Sequence, residues 1–182
     1  MVKNNIGMIH GRFQPFHNGH FLYLKKALAA SSKVIVGITN PDPQLTLQVT
    51  TDNHRHSPEA NPFSYFDRMR MILQSILLDP ETYSRKDDIF ITPFPVNLPD
   101  RWKWYIPMKG VMQFMVIIDS WDEEKKTMFN NYGFPVKLLE HTRLLIDGAP
   151  LCATLIRQYI QEKKAIDKYV PEGTMQILQE II

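Results

Sequence analysis

The chain has 182 residues, 44% of them hydrophobic and 22% charged, with a net charge of +2 at pH 7. That length supports one ordinary core, so a single domain over 1–182 is expected, and a net charge this small, with both signs spread along the chain, argues against nucleic acid and for a small-molecule partner. No apolar run approaches the roughly 18 residues needed to cross a bilayer, no secretory leader pattern opens the chain, and the lone Cys152 leaves no disulfide framework, so the sequence reads as soluble and cytoplasmic with no membrane partner.

Strand-like runs alternate with helix-like ones, the pattern of an α/β protein with an open parallel sheet and helices on both faces. Strands are expected at 6–10, 33–38, 89–93, 111–118 and 135–139. Between the first two, Phe21, Leu24 and Leu28 recur at helical spacing while Lys25 and Lys26 face elsewhere, which makes a βαβ unit. The stretch 39–62 holds four prolines and no sustained period, and a loop of this length is expected to act as a lid over a site. Its His54 and His56 form an H-x-H pair that reads as solvated loop rather than as a metal site. Ser64 and Asp67 make a capping-box pattern before "RMRMILQSILL", and Ser120 and Glu123 make another before a helix ending near Gly133. "ATLIRQYIQEKKA" and "VPEGTMQILQEII" predict a C-terminal helical segment over about 153–182.

The chemistry concentrates where the first strand gives way to the first helix, at "GRFQPFHNGH". In open α/β sheets ligands bind outside the carboxyl ends of the strands. Gly11 permits a close backbone approach, Pro15 stiffens the turn and Asn18 is placed to cap the helix, leaving Gly19 beside the first backbone N–H groups. Such N–H groups and the helix dipole favour an anion, so phosphate is the natural ligand. His17 and His20, at i and i+3, are placed to donate to phosphoryl oxygens, with Arg12 adding positive charge nearby. Neither the G-x-x-x-x-G-K-[ST] loop nor the G-x-G-x-x-G fingerprint is present.

His17-Asn18-Gly19-His20 is an HxGH motif, and the whole stretch resembles the signature of the HxGH nucleotidyltransferase superfamily, most of all the archaeal-type nicotinamide-mononucleotide adenylyltransferases. "NPFSYFDRMRMI" resembles that family's NPF segment, with Asp67 and Arg68 at its acidic and arginine positions. "LCATLIR" resembles the second phosphate motif, with Thr154 and Arg157 at the matching Thr and Arg.

The resemblance implies a Rossmann-like domain that transfers AMP from ATP to nicotinamide or nicotinate mononucleotide and releases pyrophosphate, as in NAD biosynthesis. It implies His17, His20 and Arg157 as catalytic residues, and Gly11, Arg12, Phe13, Gly19, Thr154 and Arg157 around the ATP phosphates. The acceptor would be held by Trp104, with Trp102 in reserve, and by Asn61 and Arg68. Mg²⁺ would bridge phosphate oxygens with few protein ligands, so no metal-binding residue is named. Two departures stand out: Trp121 lies near the family's usual ribose-contacting asparagine, and Cys152-Ala153 stands where Ser or Gly usually precedes the Thr. They keep open a second reading, a cytidylyltransferase or an adenylyltransferase for another phosphorylated small molecule. A third is a nucleotide-binding sensor without turnover, and a homo-oligomer also remains open.

Overall fold

The structure, a computed structural model, describes residues 5–43, 57–140 and 144–182; His54, His56 and most of the expected 39–62 loop lie outside the described residues. Period-two alternation along the first strand puts Met8 on one side of the sheet and Ile9 on the other, and both are fully buried. A strand buried on both faces needs helices on both faces. This strand, β1 (Ile6–Gly11), pairs in parallel with β2 (Lys33–Thr39), in register from Ile6 with Lys33 to Gly11 with Ile38. β3 (Ile89–Phe94) lies beyond β2, while β4 (Val111–Met115) and β5 (Val136–Leu138) extend the sheet from the other edge of β1. The order β3-β2-β1-β4-β5, all parallel, confirms the expected class.

One face carries Ile9, Val34, Val36 and Ile38 against α1 (Asn18–Ala30), α2 (Tyr65–Leu78) and the C-terminal helices. After the short α3 (Pro80–Tyr83), the chain crosses to the other face, where Met8, Ile35, Phe94 and Met115 meet Trp102, from the turn after β3, and Phe129 of α4 (Ser120–Asn131). A hairpin of β6 (Leu145–Ile146) and β7 (Ala149–Pro150) precedes α5 (Ala153–Gln161) and α6 (Glu172–Ile181). α6 lies so close to α2 that a Cβ on Gly173 would stand 2.2 Å from the Ser75 nitrogen. Among the described residues, no helix is long and apolar enough to cross a membrane.

Several expectations shift. β4 stops at Met115 rather than 118, because the Asp122 carboxylate accepts from the N–H groups of Ile118 and Asp119 and draws them into the entry of α4. The α4 capping box is accordingly Asp119 with Asp122, one residue before the expected Ser120 with Glu123. The Ser64–Asp67 box forms as expected. The β6–β7 hairpin was not expected, although its Asp147-Gly148 turn, at φ 48° and 83°, is the commonest two-residue hairpin signal.

Candidate active site

The strand order reverses direction between β1 and β4, and the loop leaving β1 at this point is held by residues far away in sequence. Gln14 exchanges two hydrogen bonds with the backbone of Phe63, donating at 2.9 Å and accepting at 3.0 Å. Arg157 donates to the Gln14 carbonyl at 2.8 Å and to Thr154 Oγ1 at 3.2 Å. Arg68, 2% exposed, donates to the carbonyls of Ser64, Arg12, Thr39 and Asn40 at 2.8–3.1 Å. The three motifs read from the sequence are therefore bonded to one another.

His17, not Asn18, is the N-cap of α1. Its Nδ1 accepts from the N–H groups of Gly19 at 3.1 Å and His20 at 3.4 Å, while His20 Nδ1 accepts from the His17 N–H at 3.4 Å. With both Nδ1 atoms accepting, each neutral ring carries its proton on Nε2 and is a donor there. The rings stack with centroids 3.6 Å apart. A Cβ on Gly19 would stand 3.0 Å from His17 Cε1, so glycine gives the cap ring its place.

This geometry corrects one expectation. The first-turn amides of α1 are not open to an anion, since Asn18 donates to the Tyr169 carbonyl and the next two donate to His17. At the cleft, α5 starts without a side-chain cap, since its N-cap Cys152 makes no capping bond.

These groups border a cleft of about 310 Å³ lined by His10, His17, His20, Tyr23, Lys125, Cys152 and Ala153, among others. Burial holds the His17 pKa down at about 3 and that of His10 well below the ordinary 6.5. His20 is also well below it, through burial first and then the neighbouring His17 and the Arg12 charge, against the opposing effect of its hydrogen bond to the Pro15 backbone. Between the folded and unfolded pKa values the unfolded chain binds these protons and the native chain does not. Stability contributed by neutral histidines is complete above about pH 6.5 and is lost as pH falls toward 3. The melting temperature, followed by calorimetry, is expected to fall steadily below about pH 6.5; a flat profile down to about pH 5 contradicts buried neutral imidazoles.

The remaining expected site residues fall as follows. Gly11 ends β1 under the Phe13 ring. Phe13, at φ 52°, turns inward, 1% exposed and edge-on to His20 at 5.0 Å, so its side chain supports the histidine and does not face the cleft. Arg12 lies close enough to lower the pKa of both His20 and Arg68. Asn61 donates to the Ser57 carbonyl at 3.0 Å. Arg68 is corrected from an acceptor ligand to a clamp, because its guanidinium is committed to four carbonyls. Trp102 is corrected to a core residue, 0% exposed, stacked on Phe129 at 4.8 Å and donating to the Pro95 carbonyl. Trp104 is 75% exposed, and none of the chain's three tryptophans lines the cleft. Sequence reasoning missed His10, Tyr23 and Lys125, which lie outside the motifs. Only the helical spacing of Tyr23 after His20 pointed toward it.

The cytidylyltransferase-like family model matches residues 8–158. A phosphonoformate cytidylyltransferase from Streptomyces viridochromogenes is 31% identical over 174 residues, covering 96% of this chain and 90% of its own. A nicotinamide-nucleotide adenylyltransferase from Thermococcus kodakarensis is 28% identical over 182 residues, covering 100% of this chain and 85% of its own. A bifunctional NMN adenylyltransferase/ADP-ribose pyrophosphatase from Francisella tularensis, solved with AMP and a manganese ion, superposes with a TM-score of 0.58 at 18% identity. That superposition covers 93% of this chain and 45% of the other, so this chain spans about half of that protein and shares its fold there. With its three motifs joined at one sheet edge and a family match running through all of them, the chain belongs to the cytidylyltransferase-like family and is a nucleotidyltransferase.

Proposed function

We propose that the cleft moves a nucleotidyl group from a nucleoside triphosphate, CTP in the first reading, to a phosphoryl or phosphonyl oxygen of a small acceptor. The acceptor oxygen bonds to the α-phosphorus, the bond from that phosphorus to its bridging oxygen breaks, and the electron pair leaves with pyrophosphate. Because the acceptor anion is itself the nucleophile, the chain needs no covalent residue, and catalysis rests on alignment and on neutralising charge.

His17 would donate from Nε2 to triphosphate oxygens, and His20 would do so on exchanging the bond its ring N–H makes to the Pro15 carbonyl. The uncapped start of α5, with Thr154 and Arg157, would take the outer phosphates. Arg12 adds positive potential, Gly19 leaves the His17 ring its place at the cleft wall and Gly11 leaves room for the Phe13 ring behind it. No group of three or more His, Cys, Asp or Glu among the described residues could hold a metal ion, and N–H donors on the cleft wall suit phosphate oxygens. That donor set fits Mg²⁺ carried by the triphosphate, where it would offset phosphate charge.

The observation that carries a small acceptor is that, among the described residues, no tryptophan lines the cleft, so no indole offers a pyridine ring a platform there. The resemblance to a phosphonoformate enzyme supports the same reading. The second reading, AMP transfer from ATP to nicotinamide or nicotinate mononucleotide, is favoured by the resemblance to the Thermococcus enzyme along the whole chain. It requires a platform for the pyridine ring outside the cleft, for which Trp104, 75% exposed, is the candidate.

Pyrophosphate release with Mg²⁺ separates the readings, using CTP and ATP against phosphonoformate, nicotinamide mononucleotide, nicotinate mononucleotide and no acceptor. The first reading expects CTP with phosphonoformate to be fastest. Release confined to ATP with a pyridine mononucleotide selects the second, and acceptor-independent binding without release leaves a nucleotide sensor.

A further inference from the structure

The segment that joins α5 to α6 is bonded to both helices whose starts border the cleft. Its Lys168 and Tyr169 carbonyls accept from Asn18, the first residue of α1, one from the side-chain amide and the other from the backbone N–H, each at 3.0 Å. The Tyr169 ring is 8% exposed and packs in the larger core cluster, and its hydroxyl donates to Asp147 Oδ1 at 2.9 Å. Asp147 Oδ2 accepts at 2.5 Å from the hydroxyl of Tyr159, in the second turn of α5. One carboxylate therefore holds the turn of the β6–β7 hairpin both to α5 and to the segment that carries the start of α1. The exit of that hairpin, Pro150 and Leu151, runs along the cleft wall into Cys152 and Ala153.

A second link joins the same two places, from Arg157 to the Gln14 carbonyl, but it is made by the guanidinium assigned to the outer phosphates. Asp147, Tyr159 and Tyr169 do not line the cleft, so a bound phosphate does not compete for their bonds. The turn itself does not ask for a carboxylate. Asparagine before glycine serves a two-residue hairpin as well as aspartate does, and both tolerate the left-handed φ of 48° found at Asp147. What aspartate adds is a second acceptor oxygen, and both oxygens are used. The two hydroxyls, Tyr159 first, hold its pKa below the ordinary carboxylate value, so the link is ionised at neutral pH. A phosphate chain that touches two walls depends on the distance between them, and a misplacement of about 1 Å can cost about 10²-fold in rate.

We propose that Asp147 and Tyr169 are positioning residues for nucleotidyl transfer, setting the span between the His17 and His20 wall and the start of α5 so that one triphosphate reaches both. This rests on the reading that the histidines and α5 share the phosphates of the triphosphate.

Tyr169→Phe keeps the ring and removes the hydroxyl, and Asp147→Asn keeps the turn and removes one acceptor oxygen. Each is titrated calorimetrically, beside the wild type and Arg157→Ala, with magnesium tripolyphosphate, which can span both walls, and with magnesium pyrophosphate, which the start of α5 can hold alone. In Tyr169→Phe and Asp147→Asn, tripolyphosphate is expected to bind about 3- to 30-fold more weakly, the range for residues coupled to a site they do not touch, while pyrophosphate stays within about 2-fold. Melting curves establish that every variant is folded at the titration temperature, and a purely structural link would lower melting while leaving both affinities alone. Unchanged tripolyphosphate affinity in both variants overturns the proposal. So does an equal loss of both ligands, which would put the damage in α5 and not in the span. Arg157→Ala tests the underlying reading. If it binds both ligands like the wild type, or the wild type binds neither, α5 does not hold phosphate and the inference falls with that reading. A loss in Arg157→Ala without one in Tyr169→Phe or Asp147→Asn rejects the positioning role alone.

Discussion

Replacing His20 with alanine lowers kcat/KM for nucleotidyl transfer by about 10²- to 10³-fold, the usual loss when one preorganised donor to a developing charge is removed. The expectation rests on the proposed role of the two histidines and on the stacked pair at the cleft wall. His20 Nδ1 is occupied by the His17 N–H, so its proton sits on Nε2 and the ring enters the reaction as a neutral donor. Its loss removes one long cap bond, 3.4 Å, and the ring's bond to the Pro15 backbone, and leaves His17 still capping Gly19. Melting should therefore change little. His17→Ala should lose both functions, because that ring is the cap itself, and capping residues contribute about 0.5–2 kcal/mol. Steady-state kinetics beside calorimetry on the two variants makes the distinction. If His20→Ala turns over like the wild type, the ring supports the loop and nothing more.

Arg68→Ala is expected to destabilise the protein by about 3 kcal/mol or more, from several carbonyls left unsatisfied at about 1–3 kcal/mol each. That corresponds to roughly 10 °C in melting temperature for a chain of this size. The guanidinium spans the loop after β1, the end of β2 and the entry of α2 in one fork, through the carbonyls of Arg12, Thr39, Asn40 and Ser64. Burial lowers its pKa to about 10, so it stays cationic at neutral pH. Lysine keeps the charge but lacks the fork, and Arg68→Lys should recover only part of the stability. An acceptor-binding role would show the opposite pattern, a raised KM for acceptor with unchanged melting. Thermal unfolding of both variants, with KM measured well below their transitions, decides between the two.

Much of the site was legible because its motifs are local. Gly19 between two histidines, a capping box before α2, and a Thr and Arg three residues apart on α5 each carry their meaning within a few positions. Trp102 shows where that stops. It stood beside Trp104 in a charged segment, yet it is the centre of an aromatic cluster with Phe94 at the end of β3 and Phe129 and Phe134 at the end of α4. Nothing within a few residues of Trp102 distinguishes it from its exposed neighbour.

From the sequence alone came the alternation that makes a parallel sheet, the start of α1 at the end of its first strand, and the order of three motifs, two of them phosphate-related. These follow from side-chain periodicity and from residues a few positions apart. The tertiary structure decided that the start of α1 is closed to an anion, since the Asn18 N–H is bonded to Tyr169, and that Arg157 reaches Gln14 across 143 positions. It also decided that His10 and Lys125, separated by most of the chain, share one cleft with each other and with the histidine pair. A hydrogen bond or a field depends on distance in space, and only the packed sheet and its helices set those distances.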